Sequence, residues 1–366
     1  MNDTSITSNL FDKIADLIEL SRKKVAASVN LTMVYTYFEI GKMIIEEEQN
    51  GNLRAEYAKS VLKDLSVNLS EKFGRGFSER NLRNMRQFFI TYSQAQIQQK
   101  PSAELQSAEY KENINWQKPS ANLPTFTLGW SHYLVLMRIE NPEERKFYEI
   151  EALNQQWSEP QLSRQYHSSL YHRLALSRNK EEVMKLSKQG HTIEKATDII
   201  KNPLTLEFLG LHEKYHYSES DLETAIISKL QNFLLELGKG FLFEARQKRF
   251  SFDEENFYVD LVFYNRLLQC YVIIDLKTDK LVHQDLGQMQ MYVNYYDRYV
   301  KLPHEKPTIG ILLCKEKKDT LVELTLPKDA NIYASEYSLY LPDKTLLQAQ
   351  LNEWINEFEN EGSKND

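Results

Sequence analysis

Residues 270–280 read CYVIIDLKTDK, and the reading of this stretch decides the fold. Tyr271 to Ile274 form an apolar run of the kind that crosses a core as a β-strand, yet Asp275 and Lys277 follow at once. Side chains two apart on a strand point to the same face. A carboxylate and an ammonium therefore stand side by side where a turn residue would ordinarily close the strand. Upstream, FYVDLVFY (257–264) reads as another strand, and only NRLLQ (265–269) separates the two, so a hairpin is the economical connection. An apex between Leu267 and Leu268 sets Asp260 opposite Asp275, with Lys277 on the same face. Opposed Cβ atoms lie about 4.5–5.5 Å apart, and like charges at that distance destabilise a sheet. A hard divalent cation offsets the repulsion, because Mg²⁺ accepts one or two carboxylates while waters and phosphate oxygens complete its shell. Such an ion activates water and neutralises charge on a phosphoryl group. Lys277 is placed to hold that water or to balance the developing charge. The pattern points to phosphodiester cleavage. The plainer alternative is a strand-end ion pair between Asp275 and Lys277, worth under about 1 kcal/mol, with Asp260 facing solvent at a bulge.

Working outward, the hairpin sits in a segment ordered α-β-β-β-α-β. One amphipathic helix is predicted over SESDLETAIISKLQNFLLELG (218–238), closed by Gly238. The strands FLFEARQKRF (241–250), FYVDLVFY and CYVIIDLK follow, then a helix LGQMQMYVNYYDRYV (286–300) and a strand TIGILLC (308–314). The chain before it has a different texture. Apolar positions recur at helical spacing up to about Ser93, and Ser78 is a fitting N-cap after the GRG break at 74–76. Residues 94–124 are rich in Gln, Ser, Lys and Pro, which marks a linker or mobile insertion. Helical pattern resumes with WSHYLVLMRI (130–139), NPEERKFYEIEALNQQ (141–156) and WSEPQLSRQYHSSLYHRLALS (157–177). Phe77-Ser78-Glu79 and Trp157-Ser158-Glu159 open their helices alike, and Ser158 with Gln161 has capping-box spacing. We divide the chain into a helical domain over 1–200, a mixed domain over 201–350 and an acidic tail over 351–366.

Composition sets bounds on function. At 366 residues the chain has room for about two domains, and 21 Tyr with 17 Phe make it rich in aromatics. A net charge of −7 argues against a uniformly cationic coat but not against a local basic surface. Cys270 and Cys314 each adjoin aliphatic runs and read as buried hydrophobes in a reducing compartment. No Cys/His spacing suits zinc, no secretory signal is read at the N-terminus, and no apolar run approaches the 18 or so residues of a membrane span. A phosphate-binding G-x-x-x-x-G-K-[ST] loop is absent from the sequence. A cytoplasmic location is the simplest expectation.

The order α-β-β-β-α-β, with Asp260 on its second strand and Asp275-Leu276-Lys277 on its third, resembles the PD-(D/E)XK nuclease superfamily, with Val259 in place of the proline of that name. The resemblance implies a restriction-endonuclease-like α/β domain and a supporting acidic residue on the first helix, which Glu223 matches. It also implies a Q-x-x-x-Y pair on the later helix, which Gln288 and Tyr292 match, four apart and so on one helix face. YFEIGKMIIEEEQNG (37–51), RAEYAKSVLKDLS (54–66), FGRGFSERNLRNMRQF (73–88), LGWSHYLVLMRI (128–139) and LEFLG (206–210) are similar to bacterial proteins of the YhcG type. Those join a helical, winged-helix-like domain to a PD-(D/E)XK domain. The family implies a nuclease associated with mobile elements and defence against foreign DNA. Carried over, it makes Asp260, Asp275 and the Leu276 carbonyl ligands of Mg²⁺ or Mn²⁺, with Lys277 assisting the water and Glu223, Gln288 and Tyr292 supporting the site.

Nucleic acid is the expected partner, most readily DNA. From a helix start at Ser78, Arg80, Arg83 and Arg86 recur every three residues beside Arg75, a cationic stripe with Leu82, Met85 and Phe89 turned toward a core. Arg164, His167 and Arg173 form a second basic candidate. Arginine forks suit phosphates and guanine edges; the alternatives are solvated helix faces or an aromatic-rich surface for homo-oligomers or another protein. Two rival functions stand beside the DNA endonuclease: a non-cleaving nucleic-acid-binding or assembly protein on the same fold, and a nuclease for RNA or branched DNA, since a fold does not fix its substrate.

Overall fold

The computed structural model describes residues 3–50, 55–97, 124–176, 180–201, 203–211, 217–252, 254–327, 330–351 and 353. Most of the predicted insertion and of the acidic tail lies outside these residues. The chain divides into two compact units, Met1–Ser163 and Arg164–Asp366.

The described residues of the first unit form helices and connecting turns, without the strands a winged helix would add. It contains α1 (Asp3–Asn50), α2 (Ala55–Phe73), α3 (Glu79–Ile97), α4 (Trp130–Leu136), α5 (Pro142–Asn154) and the first turn of α6 (Glu159–His167). Local chemistry fixes the starts. Ser78 Oγ accepts the Asn81 N–H at 3.3 Å, as the sequence predicts, and Asn141 caps α5 through the N–H groups of Glu143 and Glu144 at 2.8 and 3.1 Å, with Pro142 in the first turn where no N–H is needed. Ser158 also behaves as read, its N–H reaching Gln161 Oε1 at 2.8 Å. The abundant aromatics have an internal use: Phe38, Phe88, Phe126 and Tyr133 are buried, with Phe88 ring centroids 4.9 Å from Phe126 and 5.0 Å from Tyr133. Leu82, Met85 and Phe88 are the core side of α3, while Phe89 is only partly buried.

The second unit continues with α7 (Leu170–Leu176), α8 (Lys180–Gln189), β1 (Leu204–Thr205), α9 (Glu219–Ser228), α10 (Leu230–Leu237), β2 (Phe241–Phe252), β3 (Glu255–Asn265), β4 (Cys270–Lys280), α11 (His283–Tyr295), β5 (Ile309–Glu316), α12 (Asp319–Thr325) and β6 (Ile332–Ser338). Its sheet has six strands in the order β1-β6-β5-β4-β3-β2. β2, β3 and β4 pair antiparallel, and β4, β5, β6 and β1 pair parallel. The α-β-β-β-α-β order is therefore present, and β6 and β1 extend the sheet past β5. The predicted single helix over 218–238 is two, broken at Lys229 (φ −121°, ψ 32°). Ser228 Oγ donates to the Ala225 carbonyl at 2.7 Å, a local bond that competes with helix continuation. Gly238 does close α10, at a φ of 103° that favours glycine.

Helices cover both faces of the sheet. Val272, Ile274 and Leu276 pack with Leu222, Ile226 and Phe233 of α9 and α10, and Ile273 packs with Leu286, Met289 and Val293 of α11. The two-residue period of β4 thus sends its even positions to one layer and its odd positions to the other. Helical segments before residue 200 group with the sheet through apolar packing at Ile193 and Ile199 and through buried ion pairs. Arg173 is fully buried and meets Glu236 Oε1 at 2.6 Å, while Arg164 meets Glu207 at 3.0 Å and Glu236 at 3.3 Å.

Candidate active site

The hairpin forms in the expected register. Asn265 faces Cys270 and Leu261 faces Ile274, which leaves Asp260 across from Asp275 at the next position. There the ladder stops. Asp260 Oδ2 accepts the Leu276 N–H at 2.8 Å, where a strand carbonyl would have continued the pairing. Val259 belongs to the α11-side core and Leu261 to the opposite one, although residues two apart share a face in a regular strand. The alternation is broken at Asp260, so this carboxylate lies between the strands instead of simply sharing a face with Asp275.

Asp275 is 2 % exposed. Lys277 Nζ stands 2.9 Å from Asp275 Oδ2 and 3.4 Å from Glu219 Oε1. The first contact sets the Lys277 ammonium against the buried Asp275 Oδ2. Burial, then the charge of Asp260, pushes the Asp275 carboxyl up to about 7 against the opposing pull of Lys277. Burial works against the Lys277 ammonium, yet Asp275 and Glu219 hold its pKa well above the ordinary lysine range.

Glu223, on α9, is 3 % exposed. Its Oε1 lies 3.1 Å from Arg246 Nε and its Oε2 accepts from the Gln247 amide, which also donates to Asp260 Oδ1 at 2.9 Å. On α11, Gln288 donates to the Tyr292 hydroxyl. Burial raises the pKa of that hydroxyl and the charges of Asp275 and Asp260 raise it further, which puts Tyr292 in the field of the two carboxylates. Glu223, Asp260, Asp275, Lys277, Gln288 and Tyr292 therefore gather at the same end of the sheet. Glu219, Arg246 and Gln247 join them and were not read from the sequence. Glu219 lies four before Glu223, the helical spacing that could have drawn notice; Arg246 and Gln247 on an edge strand carry no such signal.

The arginine candidates divide. Arg75, Arg80 and Arg83 are exposed, and Arg83 pairs with Glu79 along α3. Arg86 is tied to Glu48 at 2.8 Å. The second candidate is corrected: Arg173 has no solvent exposure and Arg164 only 14 % of its side chain. Both compensate buried Glu236, whose carboxyl burial alone would raise and whose neighbours Arg173, Lys201 and Arg164 hold down at about 2.

Among the described residues no three His, Cys, Asp or Glu side chains converge tightly enough to form a metal cluster by themselves. The donor set still fits a hard cation. Two carboxylates, one buried beside Lys277 and disfavoured as an anion by burial, are what Mg²⁺ takes when water and phosphate supply the rest.

Comparison with known proteins agrees in both units. Residues 197–352 match the YhcG PDDEXK nuclease domain and residues 13–173 the DUF1016 N-terminal domain. The chain is 40 % identical over 351 residues to "Putative nuclease YhcG" of Escherichia coli (strain K12), covering 93 % of this chain and 92 % of that one. Two solved structures also match: a repair endonuclease from Pyrococcus abyssi (19 % identity, 36 % of this chain, 50 % of that chain, TM-score 0.24) and an EndoMS–dsDNA complex (17 %, 37 %, 50 %, 0.24). The chain spans half the length of each of these two structures. A helical DUF1016 unit followed by a PDDEXK sheet, with 40 % identity to a YhcG protein over 93 % of the chain, places the chain in the YhcG family of nuclease-domain proteins.

Proposed function

We propose that the chain is a metal-dependent endonuclease that hydrolyses phosphodiester bonds in DNA, extending to foreign or mobile DNA in the cytoplasm as the family resemblance implies. The observation that carries this reading is the buried Asp275 carboxyl, destabilised as an anion beside Asp260 and flanked by Lys277. A divalent cation, Mg²⁺ or Mn²⁺, held by Asp260, Asp275 and the Leu276 carbonyl would polarise the phosphate and lower the pKa of the attacking water. Asp260 is oriented for this by the Leu276 N–H, and Asp275 by its burial in β4. Lys277 stays protonated, so it acts as a donor that orients the water or balances charge on the phosphoryl oxygens, and it does not accept the proton. Glu223 adds negative charge behind Asp260, and Gln288 holds the Tyr292 hydroxyl on the neighbouring helix. Exposed Arg75 in the turn before α3, and Arg80 and Arg83 at its start, give the helical unit a means of contacting the phosphate backbone.

The test is cleavage of supercoiled, linear, single-stranded and branched DNA, and of RNA, by the full chain with Mg²⁺ or Mn²⁺, beside Asp275→Ala. Cleavage of DNA by the wild type and none by the variant is expected. Equal cutting by both would remove Asp275 from the site. DNA binding without cutting by either would favour a non-cleaving assembly protein on the same fold, and cleavage of RNA alone would replace DNA as the substrate.

A further inference from the structure

Gln247 lies within β2 at a φ of 45°, the left-handed region that a glutamine in a strand rarely adopts. Its neighbours pair regularly, Arg246 with Leu261 and Lys248 with Val259, so Gln247 faces Asp260 at the one irregular position between them. This is the same position at which β3 loses its alternation. Gln247 stays exposed at this position, and its single amide nitrogen serves carboxylates from two elements, Glu223 of α9 and Asp260 of β3. Hydrogen bonding to two like charges offsets their repulsion and draws them to a common point. Glu223 Oε1, buried and without an aligned hydrogen bond of its own, faces Arg246 from the same group.

We infer that Gln247 is a positioning residue that assembles Glu223 and Asp260 into one oxygen-rich face and so sets the affinity of the site for a divalent cation. This rests on the metal-dependent reading above. An amide suits the task because its terminal torsion is soft and its two ends differ. The N–H side spans the carboxylates while no cation is present. A half-turn presents the carbonyl oxygen, a ligand type that hard cations accept. Neither a hydrocarbon nor a carboxylate side chain could do both.

The experiment measures Mn²⁺ binding to the DNA-free full chain by titration calorimetry or electron paramagnetic resonance, together with thermal unfolding in chelator, for wild type, Gln247→Gly, Gln247→Glu and Asp275→Ala. Glycine adopts a φ of 45° without strain, so Gln247→Gly deletes the amide and keeps the backbone. Its Mn²⁺ affinity should fall about tenfold, the lower end of what orienting residues contribute, with kcat on DNA reduced and KM for DNA unchanged. Gln247→Glu should keep affinity within a few-fold of wild type, because it still offers oxygen, while lowering the melting temperature in chelator, because three carboxylates then converge without a donor. Equal or tighter Mn²⁺ binding by Gln247→Gly would overturn the inference and leave Gln247 a structural hydrogen bond. Binding lost in Asp275→Ala but intact in Gln247→Gly overturns this inference alone; no Mn²⁺ binding by the wild type overturns the metal-dependent reading along with it.

Discussion

Asp275 is where residue-scale chemistry sets stability against the proposed function. Its folded carboxyl is raised from 3.8 to about 7. For a raised carboxyl the native state binds the proton more tightly than the unfolded chain does. The associated stability is complete below the unfolded value near pH 4 and declines as pH rises through 7. At pH 8 the ionised group therefore costs the metal-free protein stability, up to about 4 kcal/mol for a shift of this size, less whatever Lys277 loses with its partner. Asparagine has the same shape and no charge. Asp275→Asn should raise the melting temperature in chelator at pH 8, by roughly 2–4 °C for each kcal/mol in a unit of this length, and the difference should vanish near pH 4. An added divalent cation should stabilise only the wild type. A variant less stable than wild type at pH 8 would mean that the Lys277 pair outweighs the burial of the charge. The carboxylates and Lys277 were legible because they follow an apolar run at strand spacing, and Glu223, Gln288 and Tyr292 became so through family resemblance. Gln247 was not, because its role comes from a backbone conformation that the letters QKR in a strand do not announce.

At the scale of elements, the β3–β4 register was legible because a short linker between two strands leaves few ways to turn back, and the pairing found is the one an apex at Leu267–Leu268 demands. The break between α9 and α10 was not, since the apolar period runs through it and only the Ser228 hydroxyl bond interrupts the helix. The crossing of α1 and α3 depends on one missing side chain. A Cβ at Gly41 would lie 2.1 Å from the Met85 carbonyl oxygen and 3.0 Å from Phe89 Cβ. Alanine in place of a helical glycine ordinarily gains up to about 1 kcal/mol, but overpacking against a fixed backbone costs about 1–3 kcal/mol or more. The clash wins, because a carbonyl within a helix cannot turn aside as a side chain could. Gly41→Ala should destabilise the helical unit by about 1–2 kcal/mol net, read as a lower denaturation midpoint in urea; an unchanged or higher midpoint would show that the helices separate without cost.

Across the whole molecule, the ends of a 366-residue chain are organised by different forces. The first unit is held by tilted and edge-on aromatics, the second by a sheet buried on both faces and by the ion group around Glu236. Glu236 is fully buried, meets Arg173 at 2.6 Å and accepts the Thr205 N–H at 3.0 Å, joining helix, first strand and α10. Its carboxyl is lowered from 4.5 to about 2. A depressed carboxyl contributes stability that is present above the unfolded value and lost as pH falls through the folded one, here between about pH 4.5 and 2. Glu236→Gln leaves Arg173 buried without its counter-charge and should destabilise the second unit by about 3–5 kcal/mol at neutral pH. It should also flatten the loss of stability between pH 4.5 and 2, read from melting temperatures across that window. A variant that melts like wild type at pH 7 would show that Arg164 and Arg173 are compensated by other groups.

The sequence by itself determined the strand that carries Asp275 and Lys277, its hairpin partner, the α-β-β-β-α-β order and the helical character of the first unit, because each is written in local periodicity, caps and short connections. Only the tertiary structure decided which arginines meet solvent and which are spent on Glu236, where the first unit ends, and that Gln247 and Glu219 stand beside the carboxylates. Burial and pairing depend on residues 30 to 72 positions away, such as Glu207 and Glu236 for Arg164 and Pro203 and Glu236 for Arg173. A helical stripe of arginines has the same local pattern whether it faces water or a buried carboxylate.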